Sequence, residues 1–116
     1  MPVPASSEAL VVLFVTIDEA HADTFARTAV EQRLVACVNL VPGARSIYRW
    51  KGEVCEDHEV LLWMETREAG AKTCIEALAA LHPYDTPKII ALPACAVHEP
   101  YRAWCIAHSG GPIAPE

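Results

Sequence analysis

The stretch from residue 36 to residue 67, ACVNLVPGARSIYRWKGEVCEDHEVLLWMETR, constrains this chain more than any other. Apolar and polar residues alternate through much of it, the period of an extended strand whose side chains point to opposite faces. WKGEV carries Gly52 and reads as a tight reversal, so the two halves pair as one extended hairpin. Pro42-Gly43 interrupts the first half and suits a bulge or bend. The hairpin is polar at its tip and apolar at its base. One this long outgrows what a small domain can cover, and its bare edges invite aggregation unless other chains close them.

The remaining segments supply elements for it to pack with. LVVLFVT, residues 10–16, has the β-branched character of a buried strand. Asp18 then offers an N-cap, with Glu19 in the first turn. Ala22, Phe25, Ala26, Ala29, Val30 and Leu34 follow as one apolar stripe on a helix of about four turns. A second helix is expected over 69–81, with Ala71, Cys74, Ile75 and Leu78 inward, stopping at His82 because Pro83 follows. KIIALPA reads as a fourth strand. Glu99-Pro100 opens a short helix with Tyr101, Trp104 and Cys105 on its apolar side.

The order β-α-β-β-α-β with a C-terminal helix predicts an α+β, ferredoxin-like fold: four antiparallel strands with two helices on one face. The expected limits are a loose tail over 1–8, a single domain over 9–109 and a second tail over 110–116.

Composition narrows the function. An apolar share of 53% with 21% charged residues is globular. A net charge of −6, with scattered basic residues, argues against nucleic acid and anionic membranes as partners. MPVPASSEAL has no signal-peptide pattern and the apolar runs are far short of a span, so a cytoplasmic location is expected. Cys37, Cys55, Cys74, Cys95 and Cys105 are odd in number and widely spaced, neither a disulfide framework nor a zinc signature. No nucleophilic triad, phosphate-cradling loop or hydrolase carboxylate pair occurs, so no residue is assigned as catalytic.

LHPYDTPKIIALP, residues 81–93, sets a histidine, a phenol and a carboxylate between two prolines. His82, at a helix C-terminus, reads either as a metal ligand or proton-transfer group, or as a side chain that caps the helix. Glu53, Glu56, Asp57, His58 and Glu59 near the hairpin turn read either as a weak hard-cation site or as a solvated tip. Glu56 and His58 share one face of that strand; Asp57 and Glu59 share the other.

The blocks A-C-V-N, P-G-x-x-S-I-Y-x-W-x-G and H-P-Y-D-x-P, with YRAWCIAHS after them, resemble the CutA family of divalent-cation tolerance proteins from about Val11 to His108. The resemblance implies a non-enzymatic homotrimer involved in the response to metal ions. Trp50 and Trp104 would lie at the interface between its subunits. It implies a ligand cleft built from Cys37, Asn39, Tyr48, Trp50, Glu56, His82, Tyr84 and Asp85, with Glu65 close by where the family carries a lysine. A divalent cation or a small molecule is the implied occupant. At the positions of the family's copper pattern, Phe14, Leu81 and Lys88 replace ligand-type residues, which leaves only weak copper or zinc binding through His82. Two alternatives stand beside this reading: an acid–base enzyme using His82 and Asp85, and a structural trimer that anchors a partner protein.

Overall fold

The computed structural model describes residues 8–111. Its elements run β1 (Leu10–Ile17), α1 (Glu19–Glu31), β2 (Cys37–Trp50), β3 (Glu53–Arg67), α2 (Ala71–Leu81), β4 (Ile89–Pro93) and α3 (Glu99–Ala107). The strands form one sheet in the order β2-β3-β1-β4, every neighbouring pair antiparallel. This is the predicted ferredoxin-like α+β arrangement. One short 3₁₀ turn, Glu68–Gly70, precedes α2, so the second helix begins two residues later than its apolar pattern implied.

Alternation decides which side of the sheet is covered. Leu13, Val15 and Ile17 of β1 stand opposite Met64, Leu62 and Val60 of β3. They pack with Ala22, Phe25 and Ala29 of α1 and Cys74 and Leu78 of α2 into the main core. Burying each of the larger aliphatic side chains contributes about 1.5–3 kcal/mol. The intervening residues point away from α1 and α2, and α3 covers only one end of that second face. There Cys105 joins Leu10 and Ala36 in a small separate cluster.

The hairpin turn is a two-residue loop, Lys51 and Gly52, between the paired Trp50 and Glu53. Both loop residues have positive φ, 51° and 82°, the geometry that matches the twist of the flanking strands. Pro42-Gly43 forms the expected bulge, with the register slipping between Val41 and Ala44.

Two local expectations change. Asp18 sits at the N-cap position of α1 but makes no cap bond; its carboxylate instead takes His21 Nδ1 at 2.7 Å. Leu34 is not on the helical stripe, because α1 ends at Glu31. The Arg33 N–H bonds to the Val30 carbonyl and the Leu34 N–H to that of Ala29, with Arg33 at φ 59°. This closing motif turns Leu34 back onto the core. The tail segments 1–8 and 110–116 fall mostly outside the described residues, but their inner ends are held. Glu8 pairs with Arg67 at 2.6 Å, and the Gly111 N–H bonds to the Arg33 carbonyl at 2.7 Å.

Candidate functional site

A groove of about 730 Å³ runs between the outer half of the hairpin and the α2–β4 joint. Strand β2 gives it Tyr48 and Trp50, β3 gives Asp57 and Glu59, and the joint gives Tyr84, Asp85 and Lys88. Strand periodicity explains the β3 pair, since residues two apart share a face. The bulge explains the β2 pair. Ahead of it Cys37 and Asn39 share this face, and the extra residue lets Ser46 and Tyr48, of the opposite parity, take it over. Proline rigidity explains the joint: His82 is extended at φ −73° and ψ 138°, as a residue before proline must be.

Two phenols tie the walls together. Tyr84 donates its hydroxyl to Glu59 Oε2 at 2.7 Å, joining the α2–β4 segment to β3. Tyr48 donates to Asp57 across the hairpin. Glu59 is only 7% exposed, so the solvated tip expected at 53–59 is solvated at its end and buried where the joint crosses it.

The same segment turns His82 inward. The ring is 6% exposed and stacks edgewise with Phe25 and Tyr84. Its Nε2 donates to the Thr16 carbonyl at 2.9 Å, and its Nδ1 accepts the Tyr84 N–H at 3.1 Å. Both nitrogens are in use. In this arrangement His82 bolts the α2–β4 joint, with its nitrogens turned to Thr16 and Tyr84 and not to Asp85. The side-chain capping alternative is the nearer one, although the ring reaches β1 and its own loop.

The implied cleft divides within one chain. Tyr48, Trp50, Tyr84 and Asp85 meet at the groove. Glu56 lies on the opposite face of the hairpin, paired with Arg45 at 3.0 Å. Cys37 and Glu65 face each other at the hairpin base, where Tyr101 of α3 donates to Glu65 Oε1 at 2.7 Å. Asn39 stands two pairs further along, opposite Trp63. Burial, helped by the Glu65 charge, pushes the Cys37 thiol up, away from the reactive thiolate.

Electrostatics give a pH signature. The hydrogen bond to Asp57 raises the Tyr48 hydroxyl from 10 to about 12. Burial, reinforced by Glu59 or Glu65, raises Tyr84 and Tyr101 further. Each folded value lies above the unfolded one. The stability Tyr48 contributes is therefore complete below pH 10 and lost as pH rises through about 12, and that of Tyr84 and Tyr101 persists to higher pH. Titration of the phenolate absorbance should find no folded tyrosine ionising at the ordinary value of 10, and the urea midpoint should fall across the same window. A tyrosine midpoint at 10 in folded protein would show that these bonds do not persist in solution.

The family model for the CutA1 divalent ion tolerance protein matches residues 10–108. The chain belongs to the CutA1 family. The divalent-cation tolerance protein CutA of Thermus thermophilus is 46% identical over 100 residues, covering 86% of this chain and 97% of that protein. Mouse protein CutA is 41% identical, covering 89% of this chain but 62% of its own length, so this chain spans under two thirds of that relative. Among solved structures, the PII-like protein CutA from Nostoc superposes with a TM-score of 0.81 at 32% identity, covering 86% of this chain and 97% of that one.

Within one CutA1 chain the donors do not converge on a transition-metal site. No group of three or more His, Cys, Asp or Glu residues among the described ones is placed to hold an ion. Phe14, at one copper-pattern position, packs edge to face on Trp63, with ring centroids 4.9 Å apart. Leu81 is apolar and Lys88 brings a positive charge to the groove rim. Sequence reading also missed residues that matter here. Glu59 as a groove wall was hidden because its partner, Tyr84, is remote in sequence. Trp63, Ile90 and Leu92 could have been found, because they are apolar residues on the alternate phase of strands whose other phase already fills the core.

Proposed function

We propose that the chain is a non-enzymatic homotrimer of the divalent-cation tolerance family that holds a small ligand in clefts lined by the hairpin and the α2–β4 joint. One observation carries this reading. The sheet face opposite α1 and α2 is apolar and open, with Trp63 at 40%, Ile90 and Leu92 at 46% and Val41 at 48% exposure. Phe14 stands between Trp63 and Ile90 on the neighbouring strands. A patch of this kind marks an interaction surface, and a closed ring of copies also covers the hairpin edges. Three is the number that the resemblance implies. The description of the Nostoc relative as PII-like favours a bound small molecule over catalysis. So does His82, which has no free nitrogen for proton transfer.

Light scattering coupled to gel filtration tests the assembly. A mass of three chains at micromolar concentration is expected, and a stable monomer would overturn it. Trp104, 43% exposed on α3, and Trp50 at the hairpin tip should lose fluorescence exposure to iodide on assembly.

A further inference from the structure

The groove has a charge pattern that sets the chemistry of its ligand. Asp57, Glu59 and Asp85 line it together with Arg45 and Lys88. Arg45 is matched by Glu56 on the other face. Asp57 and Glu59 receive only phenol hydroxyls, neutral donors that hold each carboxylate in place without cancelling its charge. Glu59 is nearly buried, yet no cation pairs with it and only its Oε2 is hydrogen-bonded. Among the described residues no enclosed side-chain oxygen lacks a partner, so Oε1, which has none, is the atom left facing open space. A largely buried carboxylate with one oxygen open and no counter-charge favours a bound cation. The aromatic wall is suited to the missing charge: the Lys51 ammonium already lies over the Trp50 ring, 6.0 Å from its centroid.

We propose that this groove binds an aliphatic diamine or polyamine. Asp57 and Glu59 are two residues apart on one strand face, about 7 Å, a spacing that a short diamine spans. One ammonium group meets each carboxylate, and the methylenes lie against Tyr48 and Trp50. A bare divalent ion is a poorer match, since no three donors converge. The net charge of −6 adds long-range attraction for polycations. The inference rests on the cleft reading and specifies its occupant.

Calorimetry at low salt on the full chain tests it, with 1,4-diaminobutane, spermidine, butylamine and magnesium chloride as probes. The diamine and spermidine are expected to bind at least tenfold more tightly than butylamine or magnesium. Glu59→Gln and Asp57→Asn are each expected to weaken the diamine at least tenfold with the oligomeric mass unchanged. Asp23→Asn, on the exposed face of α1, should bind as wild type. A trimer that gives no heat with millimolar diamine overturns the inference and leaves the cleft reading standing. So does binding equal in all variants, or magnesium as potent as the diamine. A monomer that still binds the diamine through Glu59 sustains the inference and overturns the assembly instead.

Discussion

His82→Ala should lower the unfolding free energy by about 3 kcal/mol, from lost ring packing and two broken hydrogen bonds, while leaving copper and zinc affinity at the wild-type level. The ring fills space between Phe25 and Tyr84, so its removal opens a cavity under the joint. It also strands the Thr16 carbonyl and the Tyr84 N–H, its two partners. Tyr84 then loses the support that aims its hydroxyl at Glu59, so the groove should lose shape along with stability. Urea unfolding at fixed chain concentration measures the first effect, since assembly makes apparent stability depend on concentration. Copper and zinc calorimetry measures the second. A variant of wild-type stability that has lost metal heats would return His82 to the role of ligand.

Trp63→Asp should abolish assembly and leave a folded subunit. Trp63 packs against Phe14 at 4.9 Å and sits mid-strand on the apolar face, opposite Asn39 and Phe14 on its two neighbours. A carboxylate there must be dried as copies meet, which costs several kcal/mol. A cost of about 3 kcal/mol already weakens association more than a hundredfold. The subunit core is on the other face, so its circular dichroism should change little. Light scattering of a micromolar sample checks the mass, with Trp63→Phe as the variant that keeps the trimer. A trimer surviving Trp63→Asp would place the interface elsewhere.

Much of this architecture was legible because each element announces itself locally. The hairpin, its turn at Gly52, the bulge at Pro42-Gly43 and the stop before Pro83 are all set by residues adjacent in sequence. What escaped depends on contacts between distant residues. Leu34 reads as the end of a helical stripe, since nothing nearby reveals that Arg33 will take positive φ and turn the chain back. The side-chain bonds of Arg33 to the Ala107 and Gly111 carbonyls, which accompany that geometry, come from the far end of the chain. His82 shows the same limit. A histidine beside an aspartate and a tyrosine looks chemical until the joint folds over β1 and consumes both nitrogens. Of the residues of the implied cleft, Tyr48, Trp50, Tyr84 and Asp85 line one groove, whereas Glu56 follows strand parity to the opposite face.

The Lys51-Gly52 turn also sets an order of events. A hairpin whose reversal is already favoured by its own residues closes within about 1–10 μs. Strand β1 must instead find β3 and β4 across long loops, and contacts so remote in sequence form slowly. There is thus an interval in which the longest ribbon of the chain exists with an unfilled neighbouring slot. During it, a ribbon from another nascent subunit could be taken up in place of β1. The bulge lessens that hazard, because a strand that changes phase midway matches one register and penalises slipped ones. The irregularity that shapes the groove thereby also acts during folding, as a guard against exchange between chains.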